Sequence, residues 1–163
     1  MKTKFFLVLV STLLLLSVQS FGAENDIPTV KVTGKDKTFI SILVPKNTTK
    51  AQLTNLINEF KKARENSYLE KYFPPTTPNG SYGKFAVIGV FVFSNPQMAT
   101  SDAIKKYMNT ADGKFSQKFA DAVLAHYYYG FGGDHEFGCL GLQDSDIKPT
   151  KNYQKLFSKN YPY

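Results

Sequence analysis

Nine consecutive apolar residues, Phe85-Ala-Val-Ile-Gly-Val-Phe-Val-Phe93, lie between Lys84 and Ser94. In an extended chain successive side chains point to opposite faces. A run with no polar interruption therefore predicts an interior strand shielded on both sides, as in a central parallel strand. Gly89 stands in its middle, where a missing side chain lets another element come close. Asn95-Pro96 closes it.

The residues before this strand supply its partners. Val30–Val32 and Thr38–Val44 read as strands, with Thr33–Asp36 as the turn between them. Pro45 and Asn47 end the second. Thr49 followed by Gln52 has the spacing of a capping box, so a helix is predicted to begin there. Leu53, Leu56, Ile57 and Phe60 give that helix one apolar face as far as about Arg64. Strand, helix and strand together predict a right-handed βαβ unit.

Residues 66–84 make a long connection for a domain of this size. Tyr68, Leu69, Tyr72 and Phe73 can pin it, and Pro74, Pro75 and Pro78 stiffen it. Its aromatic rim makes Tyr72 and Tyr82 candidate contact residues. Further on, Ser101 is predicted to cap a short helix carrying Ala103, Ile104, Tyr107 and Met108. Beyond Gly113 a second helix is predicted from the stripe Phe115, Phe119, Ala122, Val123 and His126. Tyr127-Tyr128-Tyr129 and a glycine-rich turn at Gly130, Gly132 and Gly133 follow. Phe137–Leu142 reads as a short strand and Tyr153–Phe157 as a strand or a turn of helix.

The alternation gives an α/β (α+β) two-layer sandwich, a βαβ core with a mixed sheet, and ferredoxin-like as its nearest named outline. Such a sandwich leaves one sheet face bare, yet Phe85–Phe93 is apolar on both sides. The late helices, the C-terminal tail or a second copy must cover it, so a homodimer through the open sheet face is one expectation.

At the other end of the chain, Lys2 and Lys4 precede a 14-residue run, Phe5–Val18, broken only by Ser11, Thr12 and Ser17, and small residues follow at Ser20 and Gly22. A charged start, an apolar stretch of this length and small residues before a cut describe a secretory signal peptide. The run falls short of the roughly 20 residues a spanning helix needs. Residues 1–22 are thus expected to be removed, with Ser20–Phe21 as the alternative cut. Residues 23–163 remain as a single globular domain, periplasmic or secreted, with no further membrane span. The signal holds two lysines and no acid, so the net charge falls from +7 to +5. A charge that modest, spread among acids, argues against nucleic acid as a partner. Cys139 is alone, so no intrachain disulfide is available and packing must carry stability. The Lys- and Asn-rich composition is bacterial in character, which leaves the sequons at Asn47 and Asn79 unmodified.

The polar cluster worth weighing is Asp134-His135-Glu136, with Cys139 three residues on and His126 upstream. Imidazole, carboxylate and thiolate are common metal ligands. However, His135 and Cys139 would lie roughly 13 Å apart along an extended chain, too far to share an ion without a turn. The glycines around them argue against the helix that a His-Glu-x-x-His site requires. Cys139, between Gly138 and Leu140, reads as a small buried hydrophobe. Ser81-Tyr-Gly-Lys84 matches the Ser-x-x-Lys pattern of penicillin-interacting enzymes only in spacing, because Ser81 precedes a strand and the partner motifs are missing. Gly113-Lys114 lacks the Ser or Thr of a phosphate loop, and Asp144-Ser-Asp146 fails as a calcium loop at Lys148.

These readings predict an exported, non-catalytic binding or assembly module of the envelope or medium. Its contact surface is the 72–84 connection and the 127–139 turn, with Tyr72, Tyr82, His126 and Tyr128 as candidates beside Asp134, His135, Glu136 and Cys139. No cofactor is called for. The alternative is a small exported enzyme or metal-binding protein centred on His126, Asp134, His135, Glu136 and Cys139.

Overall fold

The computed structural model describes residues 26–77, 83–108, 117–130, 135–143 and 148–160. The expected signal segment lies outside them, as do Tyr82, Asp134, the Asn79-Gly80 turn and Phe115.

Six strands form one mixed sheet: β1 (Lys31–Asp36), β2 (Phe39–Leu43), β3 (Ile88–Phe93), β4 (Ala125–Tyr129), β5 (Glu136–Leu140) and β6 (Gln154–Lys159). Among the described residues three α-helices accompany it, α1 (Lys50–Glu65), α2 (Ser101–Met108) and α3 (Gln117–Ala122), with a short 3-10 turn at Leu69–Lys71. The α+β class with a βαβ core is present, since α1 joins β2 to its parallel neighbour β3. The other pairings are antiparallel, and the strands lie across the sheet in chain order, β1 to β6. A ferredoxin-like outline interleaves its strands, so this sheet is a different arrangement within that class.

The capping box closes as its residues require. Gln52 N donates to Thr49 Oγ1 at 3.2 Å, and Thr49 N donates back to Gln52 Oε1 at 2.9 Å. Leu53, Leu56, Ile57, Phe60 and Ala63 of α1 are buried against Ile40, Ile42, Val90, Val92 and Tyr127 of the sheet.

Every residue of β3 is buried. Residues 85–87 are half-buried and precede the strand, so the regular part is shorter than the apolar run. Its second face is covered from within the chain. Phe119 meets Phe91 and Phe93 edge-on at 5.2 and 5.4 Å, with Met98, Ala99, Ala120 and Val123 packed around them. Of the three covers the sequence left open, the late helical segment is the one that packs on this face of β3.

Three local expectations are corrected. The first hairpin turns at Lys37-Thr38, with Lys37 at φ 52°, and not at Thr33–Asp36. Gly34 lies within β1 because a Cβ there would stand 2.5 Å from the backbone of Thr100 and Ser101. Its absent side chain is a packing requirement. Next, Thr100 and not Ser101 caps α2, through Ala103 N to Thr100 Oγ1 at 3.0 Å. Ser101 Oγ instead accepts from Lys35 N at 2.9 Å. Finally, the second helix stops at Ala122, and His126 sits on a strand. Leu124 N already donates to Val92 O at 2.8 Å, which starts the β3–β4 ladder. Three tyrosines in a row suit a pleated, largely buried strand better than a helix.

Candidate functional site

Pairing of β4 with β5 sets Tyr129 opposite Glu136, Tyr127 opposite Gly138 and His126 opposite Cys139. Because side chains alternate, this register divides the candidate residues between the two faces of the sheet. Tyr127, Tyr129 and Glu136 face α1. His126, Tyr128 and Cys139 face the other way. His135 stands just before β5, and its carbonyl accepts Gly130 N at 2.9 Å. Tyr72 lies on the α1 side, edge-on to Phe60 at 5.5 Å, and Phe60 in turn meets the Tyr127 ring at 6.0 Å. The Tyr72 hydroxyl donates to Glu59 Oε1 at 2.8 Å, and burial together with that carboxylate pushes the phenol up to about 12.

On the α1 side, Glu136 is 3% exposed and held on both carboxylate oxygens. Arg64 Nε donates to Oε1 at 2.7 Å and Nη2 to Oε2 at 2.9 Å, a bidentate pair. Tyr127 Oη adds a third bond to Oε1 at 2.8 Å. The guanidinium also lies 4.7 Å from the centre of the Tyr129 ring. Burial and the adjacent carboxylate drive the Tyr127 phenol far above its ordinary value, so it acts as a fixed donor. Arg64 went unnoticed in the sequence because it lies on the last turn of α1, 72 residues from its partner. No local pattern signals a pair that distant.

On the opposite face, His126 stacks on Phe91 at 4.8 Å and 13° and meets Phe137 edge-on at 6.2 Å. Both of its ring nitrogens are buried without a hydrogen-bond partner among the described residues, and burial pushes the imidazole down to about 3. Cys139 is fully buried; its Sγ donates to Gly141 O at 3.3 Å, and burial pushes the thiol up to about 12. A nucleophilic pair needs a thiolate beside an imidazolium. Here the environment drives each group toward its neutral form. Among the described residues, no three His, Cys, Asp or Glu side chains come together to hold a metal ion.

The surface chemistry lies beside the Arg64 pair. A cleft of about 320 Å³ opens between the C-terminal turn of α1, the 67–70 and 83–86 parts of the long connection, and Tyr129 at the end of β4. Arg64, Ser67, Glu70, Lys84 and Tyr129 line it, with Leu69 and Phe85 as apolar wall. Its charges are matched: Arg64 serves Glu136, and Lys84 Nζ meets Glu70 Oε1 at 2.6 Å. The result is a polar, nearly neutral recess with an aromatic side. No protein-family model, curated protein or solved structure matches the chain.

Proposed function

We propose that this chain is an exported, non-catalytic binding module that takes a neutral, polyhydroxylated ligand of the saccharide class. The receiving surface is the cleft between the 67–86 connection and Tyr129. The observation that carries this reading is a recess whose charges are already paired, reached by Gly83 and Lys84 at the end of the 72–84 connection and by Tyr129 near the start of the 127–139 turn.

Paired charges disfavour a strongly ionic ligand, because its charge would have to break an existing ion pair. They still present donors and acceptors to hydroxyl groups, and an aromatic side chain supplies an amphipathic contact. A non-catalytic role fits a His126–Cys139 pair held neutral and sealed from solvent. An enzyme using both Glu136 and Cys139 would draw its groups from opposite faces of the sheet. Export rests on the Lys2/Lys4 start, the Phe5–Val18 run and the small residues after it.

Calorimetric titration with the trisaccharide of N-acetylglucosamine tests the reading. Saturable binding is expected, weakened at least about fivefold in Tyr129→Ala, since an aromatic contact of this kind is worth roughly 1 kcal/mol or more. The variant must retain a cooperative melt. Absence of binding, or equal binding by the variant, refutes the site. N-terminal sequencing of the exported protein tests the other half, with Ala23 or Phe21 expected as the first residue.

A further inference from the structure

At the opposite end of α1 lies a second recess, of about 540 Å³, between the start of that helix, Leu124 before β4, Leu140 at the end of β5 and the 151–154 segment. Its lining is mixed: Leu53, Leu124 and Leu140 form an aliphatic part beside Tyr153, with Thr48, Asn152 and Gln154 as neutral polar groups. Its rim carries Lys50 and Lys151, both exposed, and neither has an ion pair among the described residues. No carboxylate stands among the described lining residues, and the first turn of α1 carries no acid that would offset the two ammonium groups. Among the described residues the Arg64 cleft has both of its cations matched, whereas this one has two without an ion pair beside three leucines.

From that complementarity we infer that the recess binds a single-chain anionic amphiphile of the alkanoate class, with its aliphatic chain on Leu53, Leu124 and Leu140 and its carboxylate at Lys50 and Lys151. The volume falls in the range of about 300–1,000 Å³ usual for small-molecule sites, which are largely apolar with a few placed polar groups. Leucine side chains present no hydrogen-bonding group, so the part of the recess they line favours a saturated chain. The two lysines sit at the rim, where an anionic head group can stay partly hydrated while the chain is withdrawn from water. The site shares no residue with the saccharide cleft and stands without it.

Methyl-resolved NMR of the purified protein titrated with octanoate, decanoate and dodecanoate, each below its micelle concentration, reads occupancy at the three leucines. Affinity is expected to rise roughly two- to fourfold per added methylene. Decanol, which keeps the chain and lacks the charge, is expected to bind about tenfold more weakly than decanoate. The double variant Lys50→Gln/Lys151→Gln changes exposed side chains and leaves the leucines in place; in it the preference for decanoate over decanol should vanish. Leucine methyls unmoved at millimolar decanoate would overturn the proposal. So would a carboxylate preference that survives in the double variant.

Discussion

Replacing His126 by leucine is expected to stabilise the protein, and to do so increasingly as the solution is acidified. The imidazole is sealed between Phe91 and Phe137 with neither nitrogen bonded. Each unsatisfied buried polar atom costs about 1–3 kcal/mol. A leucine of similar volume removes both costs and incurs a repacking penalty of up to about 1.5 kcal/mol. Even with the full repacking penalty, a net gain of about 0.5–4.5 kcal/mol is therefore expected at about pH 7.5. The pH dependence follows from the position of the imidazole at about 3 in the fold against 6.5 when unperturbed. Between those values the unfolded chain binds a proton that the folded chain refuses, so stability is intact above the unfolded value and is lost as pH falls. The loss runs at about 1.4 kcal/mol per pH unit, or roughly 2.7 kcal/mol at about pH 4.5. Carboxylate titration also contributes to acid unfolding, but it is common to both proteins and cancels in the difference. Urea titrations of the parent and His126→Leu at the two pH values give that difference directly. A stability gap that stays constant from neutral to acid pH would refute the reasoning, because it would mean that the folded protein admits the proton.

Other outcomes follow from the packing. Glu136→Ala leaves the Arg64 guanidinium without its bidentate partner and is expected to cost about 3–5 kcal/mol in urea unfolding; Arg64→Ala should cost a similar amount and the double variant less than their sum. Gly138→Ala brings a methyl to 2.5 Å from the Phe157 ring and 2.7 Å from Ile57 Cγ2, so a loss of about 1–3 kcal/mol is expected by thermal melt. Cys139 should resist maleimide or Ellman's reagent at neutral pH until the fold opens, and its labelling should track urea unfolding, because the thiol is buried and held neutral.

Much of the frame was legible because it depends on neighbours in the chain. Thr49 and Gln52 announce the start of α1. The absence of any polar break between Phe85 and Phe93 announces a strand buried on both faces, since Ile88, Val90 and Val92 alternate there with Phe91 and Phe93. What was misread depends on distant parts. Gly34 has the look of a turn glycine, yet what it accommodates is the Thr100–Ser101 backbone, 66 residues on. Phe119, Val123 and His126 have helical spacing, but pairing with β3 draws residues 125–129 into the sheet. Glu136 resembles the polar residue of a turn until Arg64 and Tyr127 are brought to it. The candidate site suffered most. Glu136 and Cys139, close in sequence, separate onto opposite faces of the strand, and the cleft joins Arg64 and Ser67 to Tyr129, about 60 residues away in the chain.

The account turns on recognition lying beside Tyr129 and not at the His126–Cys139 row on the far face. Amide chemical-shift mapping with the N-acetylglucosamine trisaccharide tests this most directly. Shifts concentrated at Ser67, Leu69, Gly83 to Ala86 and Tyr129 are the expected result. Shifts centred on His126, Phe137 and Cys139, or none at all, would contradict it.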